Sequence, residues 1–439
     1  MKHDICAEYI VDELMSRGYN AYIIGGTLRD LIVDRIPEKW EIGVEAYTDE
    51  VYDILNFMGI TAIRSIDGNT INIIASESEL GIGNDTETKI YTLKTYKTGE
   101  IKKSLYTRDF TMNALAFNYR DGIIDYCGGH RDIDDKVIRS NGDPKIKISA
   151  RPIRILRAIR FQYKLNFEIE SNTLSAINSL VTSNALDSLS QSAKQQELTK
   201  LIIVDNVEDL LCRYSNIIIS IIPELISCYN FYYKLEDKSI NLYKHMAKTA
   251  GVFNLKGTVD YRDRIAAFLH DIAKPVTYRD NFKNHEEIGA LMAADILSRL
   301  EFSSFDINYI TKLIRYHSIE IHDKKEFKTI INQVGVNDFY KILELRHADI
   351  VANCSCNIDK EIQNLVTIRK WLNEYSGSVI DFTVHDLKIG GKDLIALGMK
   401  PGENFGIILN KLMDLVLLGQ LSNDREKLVD YVKNRYLMP

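Results

Sequence analysis

The hydrophobic period changes once along this chain, and that change is the strongest constraint on its fold. Up to about residue 140, helical patterns alternate with period-two strand patterns; from about residue 150 the period is 3.6 and stays there. The first pattern marks an α/β or α+β unit, and the long helical remainder makes the whole chain α+β. A first helix is expected over 4–17, with Ile10, Val11, Leu14 and Met15 on one face and Gly18 as its stop. Strands are expected at 21–24, 40–44, 70–75, 89–93, 114–118 and 122–125. The length of 439 residues allows two to four domains.

Fifty-five Lys and Arg stand against 61 Asp and Glu, so bulk charge does not coat nucleic acid, although a local basic groove stays open. The six cysteines, Cys6, Cys127, Cys212, Cys228, Cys354 and Cys356, contain no Cys-x-x-Cys pair. Reduced thiols and a cytoplasmic location are expected. The N-terminal MKHDICAEYIVDEL carries acids where a signal peptide runs apolar, and no membrane-spanning run is found.

Within the first part, YIIGGTLRD (22–30) sets a strand, Gly25-Gly26 and a helix in a row. This arrangement lets backbone amides approach an anion, and it is also an ordinary strand-to-helix connection. TRDFTMNALAF (107–117) and IDYCGGHRDI (124–133) add Arg108-Asp109, Asn113 and a second Gly-Gly turn. From Arg139 to Arg160 seven basic residues face one acid, Asp143, while Ile155, Leu156, Ile159 and Phe161 make the helix amphipathic.

These segments, with GDPKIKISARPIRILRAIRF (142–161), resemble the bacterial tRNA nucleotidyltransferase and poly(A) polymerase family, class II of the CCA-adding enzymes. FTVHDLKIGGKDLIALGMKPGENFGIILNKLMDLVL (382–417) resembles the tail of its HD-containing members. The resemblance implies a five-stranded nucleotidyltransferase-like head of mixed sheet over 1–140 and an all-α neck that selects nucleotide over 141–205. It further implies a helical body with an HD-type domain over 206–360 and a helical tail over 361–439. It assigns nucleotide or RNA contacts to Gly25, Gly26, Arg29, Asp30, Arg108, Asp109, Asn113, Arg154 and Arg157, with tRNA or another RNA 3′ end and ATP or CTP as ligands.

The departures from that family matter as much. Its metal-binding Asp-x-Asp falls on Lys39 and Glu41 of PEKWEIGVEA (37–46), and its third carboxylate is placed at Lys89 of KIYTLK. Residues i and i+2 of a strand share a face, so a lysine there repels the cation that the pair would chelate. The neck's Glu-Asp-x-x-Arg reads Ala150-Arg151-Pro152-Ile153-Arg154, and its later Glu-Arg pair reads Ser192-Ala193. Glu41 with Glu45 or Asp30 is the substitute set that a rebuilt metal site would use. The expectation is a head that binds RNA or nucleotide without transferring nucleotides.

The helical part carries a second constellation. His245 sits beside Leu242 and Met246; His270-Asp271 closes the run Ile265 to Leu269, with the helix expected to end at Lys274 before Pro275. His285 follows Asn284, expected as an N-cap with Glu287 at N3, and His317 and Asp349 complete further apolar stripes. Six such groups on core faces are most economically satisfied around a metal. LHDIAKP, NHEEIGA, IRYH and RHADI resemble the HD phosphohydrolase superfamily. That resemblance implies one metal at His245, His270, Asp271 and Asp349, with Asp271 bridging to a second at His285 and His317. Asp271 and Lys274 would be the catalytic residues, Lys274 neutralising phosphate. The donor set accepts Mn, Fe, Co, Ni or Mg. His322 and His347 are read as spares, and His3, His130 and His385 carry no signal. The expected function is a metal-dependent HD phosphohydrolase or phosphodiesterase. An active CCA-adding nucleotidyltransferase with a rebuilt head site, and a noncatalytic RNA-binding protein, are the alternatives.

Overall fold

The computed structural model describes residues 4–66, 68–235, 238–253, 259–353, 358–376, 387–397, 399, 405, 408–409, 411–412, 415–416 and 421–437. His3, His385, Cys354, Cys356 and parts of the 382–417 segment lie outside the described residues. The chain divides into two compact units, Met1–Ser188 and Leu189–Pro439. The neck expected over 141–205 straddles that division: its helices Pro144–Ala150 and Ile153–Leu165 belong to the first unit and Gln191–Leu201 to the second.

The first unit is built on a seven-stranded mixed sheet: β1 Asn20–Ile24, β2 Trp40–Glu45, β3 Ala62–Arg64, β4 Thr70–Ala75, β5 Lys89–Tyr96, β6 Leu115–Asn118 and β7 Gly122–Asp125. The spatial order is β3-β4-β5-β2-β1-β6-β7; β2 and β5 run parallel and every other pair is antiparallel. The five strands implied by the family resemblance are thus exceeded. β3 is three residues long, too short to leave a period-two signature.

Helix Ile5–Ser16 starts where Asp4 accepts the Ala7 N–H at 2.8 Å, and it stops ahead of Gly18, whose φ of +93° only glycine adopts cheaply. It buries Ile10, Val11 and Leu14. On β5 the alternation is clean: Tyr91, Leu93 and Thr95 point into the core, leaving Ile90, Thr92 and Lys94 on the opposite face. Glu41 of β2 shares that outer face, with Thr92 as its partner in register.

The second unit is mainly helical. One element contradicts an all-helical reading: strands Tyr232–Leu235 and Lys238–Asn241 pair as a hairpin, their Tyr-Tyr and Ser-Ile sequence fitting a pleated ribbon. Five helices pack about a common centre: Leu242–Val252, Tyr261–Leu269, His285–Arg299, Ser304–Tyr316 and Val336–Asn353. The helix expected to run to Lys274 ends at Leu269. Pro275 instead sits in the first turn of a new short helix, Lys274–Thr277, where its missing N–H costs nothing. Asn284 is in the left-handed region, φ +59°, and makes no side-chain cap, so the expected capping box is absent there. Among the described residues no helix is long and apolar enough to cross a membrane.

Candidate metal centre and head site

His245 projects from the middle of its helix, whose start is fixed by Asn241 accepting the Lys244 N–H. His270 and His317 each lie just beyond a helix end, His285 opens one, and Asp349 lies near the end of another. Three imidazoles are oriented in the same way: Nδ1 of His270, His285 and His317 donates to the carbonyl three residues earlier, Ala267 at 2.8 Å, Phe282 at 2.9 Å and Ile314 at 2.7 Å. That contact fixes the tautomer and leaves each Nε2 lone pair facing inward.

The Nε2 atoms converge on Asp271. Oδ2 of Asp271 lies 3.4 Å from His245 Nε2 and 3.2 Å from His270 Nε2, while Oδ1 lies 3.4 Å from His285 Nε2 and 3.6 Å from His317 Nε2. Asp349 Oδ1 adds contacts of 3.0 Å and 3.5 Å to His245 and His270. Among the described residues, the groups able to share an ion are His245, His270, Asp271 and Asp349, and Asp271, His285 and His317; the donor atoms within each group lie within 4.8 Å of one another.

The chemistry of this donor set fits divalent metal. Both oxygens of Asp271 are buried among imidazole nitrogens, and Nδ1 of His245 is buried without a partner. Two Nε2 atoms face each other at 3.3 Å between His245 and His270, a contact that two bare lone pairs do not tolerate. Without metal, cations stand in. Burial alone would pull His270 down, but Asp271 and Asp349 outweigh it and push it up to about 10. Lys274 Nζ lies 2.5 Å from Asp271 Oδ2. Burial would raise Asp271, yet His270 and Lys274 hold it well below the carboxylate range. Burial lowers His317 and keeps it neutral. His322 is exposed, and His347 is buried and lowered by its burial.

The head is organised differently. Lys94 Nζ donates to Glu41 Oε1 at 2.8 Å and Arg108 Nη1 to Oε2 at 3.1 Å, so two protein cations flank the carboxylate. Burial would raise Glu41, but Arg108 and Lys94 hold it below its usual range. Gly25, at φ +66°, admits this arrangement: a Cβ there would stand 2.7 Å from Arg108 Nη1. The guanidinium therefore covers the turn expected to cradle phosphate.

Lys89 requires a correction. It pairs with Asp4 at 2.8 Å and packs against the Trp40 ring, away from Glu41. The residue in register with Glu41 is Thr92, and the cation that reaches it is Lys94, because the strand runs three residues beyond the expected Leu93. Lys39 lies just before β2 with an exposed side chain; its carbonyl accepts from Thr27. Glu45 accepts from Asn20 and from the Ile101 N–H, and Asp30 accepts from Arg29, so neither joins Glu41.

The expected nucleotide contacts form one polar chain. Buried Arg29 donates to Asp30 and Asn113 and lies over the Phe161 ring; Asn113 donates to Asp109, and Arg157 reaches Asp109 at 3.4 Å. Arg154 is buried, donating to the carbonyls of Lys147 and Thr107. Lys145 and Arg151 are exposed. Gly26, the second residue of helix Gly25–Ile32, lies alongside the Arg29 guanidinium.

Comparison with known proteins bears on both units. The poly(A) polymerase head domain family matches residues 21–139, and the family described as tRNA nucleotidyltransferase domain 2 matches residues 293–432. The CCA-adding enzyme of Ligilactobacillus salivarius is 25% identical over 436 residues, covering 97% of this chain and 95% of that protein. The chain belongs to the class II tRNA nucleotidyltransferase family. Other members of this tRNA nucleotidyltransferase family include the CCA-adding enzyme of Staphylococcus epidermidis, 32% identical over 218 residues, 47% of this chain and 52% of that one. The Thermotoga maritima CCA-adding enzyme, solved in complex with tRNA, shares the fold at a TM-score of 0.55 and 20% identity, covering 98% of this chain and 94% of that one. The Bacillus stearothermophilus CCA-adding enzyme, solved with CTP, does so at 0.51 and 19%, covering 98% and 96%.

Proposed function

We propose that this member of the tRNA nucleotidyltransferase family is a metal-dependent phosphohydrolase or phosphodiesterase. In this reading the helical unit does the chemistry and the head serves as an RNA or nucleotide binding module without nucleotidyl transfer. The observation that carries it is Asp271, which offers one oxygen to each of two ligand groups. His245, His270, Asp271 and Asp349 would hold one divalent ion and Asp271, His285 and His317 a second, and such ions would lower the pKa of bound water and clamp phosphoryl oxygens. The chain's own part is defined by position. The backbone-anchored imidazoles hold the donor geometry, and Lys274, one turn from Asp271, is placed to neutralise an incoming phosphoryl oxygen. Water adds to phosphorus, the P–O bond to the leaving group breaks, and the leaving oxygen takes up a proton.

The silent head rests on Glu41 being held by Lys94 and Arg108. A second reading, nucleotide addition to tRNA ends, is favoured by the relatives being CCA-adding enzymes. The two separate in vitro. Phosphate release from nucleotide monophosphates or opening of 2′,3′-cyclic nucleotides under Mn²⁺, Co²⁺ or Ni²⁺, abolished in Asp271→Ala, supports the first. Transfer of labelled CMP or AMP to tRNA lacking its CCA end overturns the silent head. Absence of both activities, with no metal retained, leaves a noncatalytic RNA-binding protein.

A further inference from the structure

The metal cluster reaches solvent on one side. Side chains of His245, His270, Asp271 and His317 are at most 2% exposed, whereas His285, Lys274 and Asp349 are 12, 16 and 19% exposed. Beside those three stands a group of aromatic rings from two separate segments. Phe231 directly precedes the hairpin and Tyr233 lies on it, while Tyr278 and Phe282 come from the segment ahead of His285; the centroids of contacting rings are 5.3–6.4 Å apart.

The rings are tied to the cluster by direct contacts. Lys274 Nζ lies 5.2 Å from the Tyr233 ring and 5.9 Å from the Phe282 ring. The Tyr233 hydroxyl donates to Asn353 at 3.3 Å, and Asn353 donates to Asp349 at 3.0 Å. The Phe282 carbonyl receives His285 Nδ1. The loop holds this position against its own preference: Asn281, Phe282 and Asn284 all have φ between +54° and +63°, a region a bulky phenylalanine rarely adopts. Tyr278 packs on Phe231 and Phe282 yet is 56% exposed, so much of its ring faces solvent.

We infer that these rings are a base-stacking subsite, and that the phosphoester cut here belongs to a nucleotide or an RNA terminus. The base lies on Tyr278 and Phe282 while the phosphate lies between Lys274 and the Asp271 cluster. This rests on the phosphohydrolase reading above. A wall of rings with Lys274 at its inner edge matches a planar group joined to a phosphate, and stacking accepts any base because each has a π-face. A sugar phosphate or polyol phosphate would leave the wall unused.

The test uses the full chain loaded with Mn²⁺, comparing 3′-AMP and 2′,3′-cyclic AMP with 2-glycerol phosphate. The expected result is a preference for the base-bearing substrates in kcat/KM of at least about tenfold, with Tyr278→Ala losing that preference through KM and Tyr278→Trp restoring it. Because Tyr278 is exposed, its replacement leaves the core packing in place. Equal kcat/KM for 2-glycerol phosphate, or a Tyr278→Ala preference equal to that of the unmodified chain, overturns the stacking subsite alone. No hydrolysis of any of the three overturns the phosphohydrolase reading and the subsite with it.

Discussion

Replacing Asp271 with Asn probes the group that, among the described residues, belongs to both candidate ligand sets. An amide keeps a single carbonyl oxygen, so one ligand group retains an acceptor while the other meets an N–H donor. Two effects follow. Without metal, Lys274 loses its carboxylate at 2.5 Å and is left at the edge of a buried site, which costs about 3–5 kcal/mol for a broken buried pair. With metal, the unmodified chain gains about 2.7 kcal/mol per site at a hundredfold excess over Kd. For a unit of about 250 residues, each kcal/mol moves Tm by about 2–4 °C, so one filled site raises it by about 5–11 °C. Part of that gain is offset because metal displaces Lys274 from Asp271. Differential scanning fluorimetry after EDTA dialysis, with and without Mn²⁺, reads both effects, and metal content measured alongside gives stoichiometry. Asp271→Asn is expected to melt lower without metal and to gain little from Mn²⁺. An equal Mn²⁺ shift in both proteins, or none in the unmodified chain, would refute the shared-carboxylate argument.

Three further outcomes are expected. Glu41 is depressed in the fold, so its contribution is complete above the ordinary value of 4.5 and is lost as pH falls through the folded value; the stability difference between the unmodified chain and Glu41→Gln should shrink on acidification below pH 4.5 in denaturant titrations, and a constant difference would exclude the pairing. Gly129→Ala places a Cβ 2.1 Å from the Thr111 carbonyl, and urea unfolding should show a loss of about 1–3 kcal/mol. Arg151→Glu and Arg157→Glu should weaken tRNA retention and reduce the salt slope by about one each, whereas Arg154→Glu should lower stability first, since it removes donors from the Thr107 and Lys147 carbonyls.

The convergence of His245, His270, Asp271, His285, His317 and Asp349 was legible in the sequence because each lies on, or at an end of, a helix whose apolar period faces the core. Burial of His245, His270 and His317 follows from that period. The aromatic wall was not legible. Tyr233 lies on a two-stranded hairpin and Phe282 in a left-handed loop, and neither position has a period to read. In the head, six of seven strands were expected, but the family's third carboxylate position was placed at Lys89, whereas the lysine of that strand that reaches Glu41 is Lys94. Which residue of one strand stands beside which residue of another is set by hydrogen-bond register between them, and that is written in neither strand alone. The helix end near Pro275 was misplaced, and at Asn284 the boundary was right but the side-chain cap is absent, for a related reason: proline starts a helix as readily as it stops one, and asparagine adopts φ > 0 as readily as it caps.

The Nδ1 contacts of His270, His285 and His317 have an implication for how this centre tolerates change. Each imidazole donates to a main-chain carbonyl three residues earlier, and only at His285 does a side chain, the Glu286 carboxylate at 3.3 Å, also approach Nδ1. No point substitution can delete a carbonyl oxygen. The Nδ1 contacts of His270 and His317 therefore survive side-chain replacement around them, and the vulnerable step is any change that shifts the chain at Ala267, Phe282 or Ile314. Sequence drift in the surroundings leaves the aim intact; movement of a helix end does not.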